Sequence, residues 1–124
     1  MSSTTATING NKVTIKSDGQ IFRVIRITAN SSRVQHVKLT ADGKSQEFSG
    51  SGEHELIGNL VLDSPVTSAE LELTYDDDKP SKLSKGGPYA IGGHNILTIV
   101  GENGDDQDYD DTVIQFSGSK SLTG

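Results

Sequence analysis

The segment Glu102-Asn103-Gly104-Asp105-Asp106-Gln107-Asp108-Tyr109-Asp110-Asp111 places six carboxylates in ten residues. Asp106, Asp108 and Asp110 stand at i, i+2 and i+4, with Asp111 and Glu102 beside them. These are hard oxygen donors, and calcium takes about 6–8 of them in tolerant geometry. Asn103-Gly104 is a turn signal that can fold Glu102 back over the segment. Zinc is disfavoured, since the stretch has no His or Cys. Magnesium keeps most of its waters and needs fewer carboxylates. Five ligating carboxylates exceed what one divalent ion requires, so two adjacent ions sharing bridging Asp side chains fit the charge better. An EF-hand is excluded: Asp111 stands where its loop needs Gly, Ser117 where it needs Glu, and the flanks read as strands. On ligand chemistry alone three readings remain open: structural calcium, calcium that mediates ligand binding, and a solvated acidic loop. Open positions on a calcium pair could be filled by water or by vicinal sugar hydroxyls.

The rest of the chain says what must hold this segment. Its 124 residues carry a net charge of −6. Outside the acidic segment, acids and bases balance at eleven each. The surplus is therefore local, and it lies between two strand-like runs, Asn95–Val100 and Thr112–Phe116. The acidic balance argues against nucleic acid and anionic membranes, where Lys and Arg supply most of the affinity. No apolar run approaches the roughly 18 residues of a membrane span. Cysteine is absent, which excludes disulfides and Cys chemistry. The N-terminus shows no Sec-type signal, so the expectation is a cytoplasmic protein or one exported by another route.

The dominant period is two, the mark of strands half-buried in antiparallel sheets. In Val66–Tyr75, Ala69, Leu71, Leu73 and Tyr75 alternate with polar residues. Val13 and Ile15 share one face of a short first strand. Ile21–Thr28 is apolar on both parities, which predicts burial on two sides. Val34–Ala41 and Lys44–Phe48 flank Asp42-Gly43, a two-residue type I′ hairpin signal. His54–Leu62 is a further strand. Asp76–Pro88 reads as an exposed loop, and Gly92-Gly93 as a turn. No window has capped helical periodicity. Eight or so short strands predict an all-β, antiparallel β-sandwich occupying residues 1–124 as one domain.

His36, His54 and His94 are far apart and read as surface or turn residues, since general-base work needs a positioned partner. Asn30-Ser31-Ser32 matches a glycosylation acceptor by chance. Tyr109 either packs under the acidic segment or stacks on a ligand. Two D-x-D matches do not make a glycosyltransferase, because the chain leaves no room for a nucleotide-sugar domain. A small metal-dependent hydrolase would need an acid or base near the segment, and no His lies there, so no enzyme activity is expected.

The stretch from Gly101 to Val113 resembles the two-calcium loop of the PA-IIL-type (LecB-type) bacterial lectins, which bind fucose and mannose. Ala29-Asn30-Ser31-Ser32, Phe48-Ser49-Gly50, Ile57-Gly58 and Val61-Leu62 agree in order and interval. The resemblance covers roughly residues 20–116. It implies a nine-stranded antiparallel β-sandwich, a calcium-dependent lectin without catalysis, and homodimers or homotetramers. It implies that Glu102, Asp106, Asp108 and Asp111 hold one Ca²⁺. Asp108, Asp110, Asp111 and the backbone carbonyl of Asn30 would hold the other. It implies further that Ser31, Ser32 and Arg33 tune sugar preference, with Ser31 and Ser32 in the fucose-preferring form. Asn103, Asp106, Asp108, Asp110 and Asp111 would meet the sugar. Gly124 would offer its α-carboxylate to the partner's calcium site. The chain departs from the family at Asn103 (commonly Asp), Asp110 (commonly Asn) and Arg33 (commonly small), where Arg33 either adds a sugar contact or obstructs one. A structural calcium module of an adhesin or matrix protein, without sugar binding, is the alternative.

Overall fold

The structure, a computed structural model, describes residues 3–18, 22–62, 66–76, 78–103 and 111–119. Among them the strands are β1 (Ser3–Asn9), β2 (Lys12–Asp18), β3 (Val24–Ala41), β4 (Lys44–Val61), β5 (Ser68–Tyr75), β6 (Lys79–Pro80), β7 (Lys82–Ile91), β8 (His94–Glu102) and β9 (Thr112–Ser119). Every pairing is antiparallel. The expected all-β sandwich of about nine strands is what the chain forms.

One long hairpin organises it. β3 and β4 are 18 residues each and pair along their length. The other edge of β3 is shared: Val24–Ala29 pairs with β9, and Gln35–Ala41 pairs with β5. A first sheet thus runs β1-β2-β5-β3-β4, and a second runs β7-β8-β9-β3-β4. The crossing occurs at residues 30–34, between register shifts at Ala29/Ser31 and Ser31/Gln35. Bulges of this kind bend a strand without ending its pairing. Two pairs of expected strands are therefore single strands. Ile21–Thr28 joins Val34–Ala41, and Lys44–Phe48 joins His54–Leu62. Asn30-Ser31-Ser32 and Gly50-Ser51-Gly52 have loop composition but lie within the ladder.

The inner faces of both sheets meet in one core. Val13, Ile15, Val37, Leu39, Leu71 and Leu73 come from the first sheet; Ile25, Ile27, Leu97, Ile99, Ile114 and Phe116 come from the second. Phe22 closes one end, edge-on to Phe116 with ring centroids 6.2 Å apart. Full burial of such side chains stabilises by about 1.5–3 kcal/mol each before conformational entropy is set against it. Ile25 and Ile27 are buried, but Arg26 is exposed and Val24 half-buried. The expectation that this run is buried on two sides is therefore corrected: its outer parity faces away from the core. Ile21 lies outside the described residues.

Two further expectations change. Val13 and Ile15 lie in the second strand, because Ser3–Asn9 precedes it as β1 with Ala6 its buried side chain. The Asp76–Pro88 loop is largely strand: Lys82 onward forms β7, paired with β8. β7 is an edge strand, and Lys, Ser, Gly and Pro are edge residues that also read as loop residues. Its ladder skips between Gly86 and Tyr89, at Pro88. The turns behave as expected. Asp42 and Gly43 have φ of 48° and 86°, the pair of positive angles that a type I′ turn requires. Gly92-Gly93 joins β7 to β8.

Candidate functional site

β8 and β9 end together. Their last pair is Gly101 with Thr112, so Glu102 and Asp111 stand side by side just beyond it. Both are buried, at 1% and 6% exposure. Lys82, opposite Glu102 on β7, is exposed. Asp111 is held from two directions. Its carboxylate accepts the Asn103 N–H at Oδ2 (2.8 Å), and its carbonyl accepts the Asn30 N–H (2.9 Å).

The bend of β3 closes on this pair. Asn103 Nδ2 donates to Ser31 Oγ at 2.8 Å, and the Arg33 N–H donates to the same oxygen at 3.1 Å. Asn30 Oδ1 accepts the His54 N–H at 2.8 Å, where His54 has φ of 54°. Five of the expected site residues thus converge: Glu102, Asn103, Asp111, Asn30 and Ser31. Ser32 is exposed beside them. Arg33 is turned elsewhere, its guanidinium Nη1 donating to Asp76 Oδ2 at 2.6 Å. Asp106, Asp108, Asp110, Tyr109 and Gly124 lie outside the described residues. Among the described residues no three His, Asp or Glu side chains gather as a metal cluster.

Buried carboxylates are costly unless hydrogen-bonded, paired or bound to a cation. Glu102 and Asp111 at adjoining strand ends are hard oxygen donors in a polar, hydrogen-bonded frame. That donor set fits a calcium ion, and it fits neither zinc nor a nucleophilic centre.

Gln35 was not singled out by its residue type. It is fully buried, accepts the Thr112 hydroxyl (2.6 Å) and donates to the Arg33 carbonyl (3.0 Å). It shares the parity of Val37 and Leu39 in β3, and a polar residue in an apolar stripe is the signal that could have found it. The histidines are as expected. His36 lines an open groove of about 270 Å³ on the outer face of the first sheet. His54 and His94 are exposed, and the His94 ring nitrogen Nδ1 lies 2.8 Å from Ser119 Oγ.

Several solved structures share this fold. A Chromobacterium violaceum lectin, CV2L, in complex with alpha-methyl-fucoside superposes with a TM-score of 0.72 at 22% identity, over 92% of this chain and 100% of that one. The C-terminal domain of the BC2L-C lectin from Burkholderia cenocepacia gives 0.72 at 19% identity, over 94% and 100%. A high-affinity mannose-binding lectin of Ralstonia solanacearum gives 0.69 at 22% identity, over 84% and 99%. A comparison with curated proteins finds no match. The sequence profile of fucose-binding lectin II (PA-IIL) matches residues 13–120, and with the sandwich and the acidic strand ends in place the chain belongs to that family.

Proposed function

We propose that this chain is a calcium-dependent lectin in which a pair of Ca²⁺ ions binds vicinal hydroxyls of fucose- or mannose-type sugars. Its family is one of carbohydrate-binding lectins without catalysis. Glu102, Asp106, Asp108 and Asp111 would hold one ion; Asp108, Asp110, Asp111 and the Asn30 carbonyl would hold the other. Bound calcium supplies open coordination positions for sugar oxygens. The protein's part is to hold the donors. Asn103 and Asn30 fix Asp111, and Ser31 braces Asn103 from the bend of β3. The convergence of Glu102, Asp111, Asn103 and Ser31 carries this reading. Relatives of the same fold support the sugar class: one is held with a fucoside, another is described as mannose-binding. The test is retention on fucose- and mannose-agarose. Retention in calcium and release by EDTA is expected; flow-through in calcium overturns the reading.

We also propose that the chain assembles through the outer face of its second sheet. Val61, Val24, Ser117, Ile96 and Tyr89 form a row across its five strands, apolar but for the central Ser117, with Leu56 nearby; Val61 is 74% and Tyr89 61% exposed. The outer face of the first sheet instead carries Lys12, Glu72, Lys38 and Glu47. In a chain of net charge −6 the apolar face lets two copies meet without opposed carboxylates. Five strands spaced at ~4.8 Å make a face about 20–25 Å wide, the scale of a standard interface.

A further inference from the structure

Arg33 lies two residues beyond Ser31, the residue that braces the acidic strand ends, yet its charge is directed away from them. Its Nη1 donates to Asp76 Oδ2 at 2.6 Å, and the guanidinium lies over Tyr75, 5.8 Å from the ring centroid. Lys79 Nζ is 3.7 Å from the same carboxylate oxygen. Asp76 follows β5 with φ of 54°, a left-handed conformation uncommon outside Gly, Asn and Asp. Its N–H donates to the Val34 carbonyl at 2.8 Å, which fixes the end of β5 against β3. The carboxylate is thereby set where the Arg33 side chain arrives.

We propose that Asp76 is a positioning residue that sequesters the Arg33 guanidinium from the carboxylates at the ends of β8 and β9. Ser31 Oγ touches both the Arg33 backbone nitrogen and Asn103 Nδ2, and the Asn103 N–H is bound to Asp111. The whole negative surplus of the chain lies between Glu102 and Asp111. A guanidinium released there finds acceptors that match its fork, and the attraction grows in a partly buried site. An arginine on those oxygens takes positions that a calcium ion needs. Asp76 removes that competitor by pairing the Arg33 charge, with Lys79 beside the same carboxylate. The inference rests on the proposed calcium role of Asp111 and Glu102.

The experiment is calorimetric titration of calcium into Asp76→Asn, Arg33→Ala and the double variant. Asn tolerates the left-handed backbone and keeps the Val34 bond, so only the carboxylate charge is lost. Asp76→Asn is expected to weaken calcium binding on the order of fivefold, the scale of a partly exposed ion pair. Adding Arg33→Ala is expected to restore it, which a merely structural role for Asp76 would not allow. A double variant as weak as Asp76→Asn, or an Asp76→Asn protein equal to the parent, overturns the proposal. A second readout needs no calcium. The Arg33 Nε–H resonance of the metal-free protein is expected to respond to Asp111→Asn only when Asp76 is also replaced. A response with Asp76 intact, or none after its replacement, contradicts sequestration. If the parent protein binds no calcium, the proposed function fails, and the resonance still decides the placement of Arg33.

Discussion

The Asn103 N–H donates to the Asp111 carboxylate at 2.8 Å, across a seven-residue stretch that carries four of the segment's six acids. This bond clasps the two ends of the acidic segment and orients one buried carboxylate. Because Asn103 also reaches Ser31, the clasp couples the acidic segment to the bend of β3.

Asp111 is the acceptor for the Asn103 N–H and, in the proposed function, a calcium ligand; substitution can separate the two. Asp111→Asn keeps an acceptor for the Asn103 N–H, and its metal-free stability is expected to stay within about 1 kcal/mol of the parent. Its calcium-dependent sugar binding is expected to fall below detection. Asp111→Ala is expected to lose both. Urea unfolding in EDTA, set beside sugar titration in calcium, checks the split.

Gln35 and Thr112 form a buried polar pair, at 0% and 1% exposure. Thr112→Val leaves Gln35 Oε1 short of a partner, and Gln35→Leu strands the Thr112 hydroxyl and the Arg33 carbonyl. Each is expected to cost about 1–3 kcal/mol. The double variant is expected to cost less than the two added, since Gln35 Oε1 and the Thr112 hydroxyl are then both absent and neither is orphaned. Denaturant midpoints of the four proteins measure the coupling, and strict additivity would contradict the pairing.

What was legible in the sequence was local. The alternation of Ala69, Leu71 and Leu73 is a one-strand property, and the Asp42-Gly43 turn is set by two residues. The acidic strand ends were legible because a run of carboxylates between two strand-like runs is a matter of residue type and short spacing. Long-range partnerships left no such trace. Arg33 and Asp76 are 43 residues apart, and Gln35 and Thr112 are 77 apart. The unity of β3 was hidden because Asn30-Ser31-Ser32 has loop composition, while its bulges keep it in the ladder. β7 was hidden because the residues that protect an edge are also those that make loops.

Asp42 gives a pH dependence remote from the site. Its carboxylate accepts the Thr67 hydroxyl at 2.7 Å and the backbone N–H groups of Thr67 and Ser68. The Thr67 hydroxyl chiefly holds its pKa below the ordinary value; desolvation opposes this, and the Ser68 and Thr67 N–H groups add to the lowering. A depressed folded-state pKa contributes stability that is complete above the unfolded value, about 3.9, and is lost as pH falls through the folded one. The melting-temperature gap between the parent and Asp42→Asn is expected to be flat above about pH 5 and to close in stronger acid. A gap that widens in acid would reverse the sign and contradict the assignment.

The apolar outer face gives a test of assembly. Val61→Glu and Tyr89→Glu place carboxylates on strands at opposite edges of that face. Each is expected to shift sedimentation toward the monomer, with little loss of fold, because both positions are exposed. An unchanged sedimentation coefficient in both would place the contact elsewhere.

Calcium-dependent sugar binding is tested by calorimetric titration of methyl α-L-fucoside, then methyl α-D-mannoside, into the protein in millimolar calcium, repeated after EDTA and after calcium is restored. Binding that disappears with EDTA and returns with calcium is the predicted result. Absence of heat with either sugar in calcium, alongside a melting temperature that still rises with calcium, would contradict the lectin account and leave a structural calcium site.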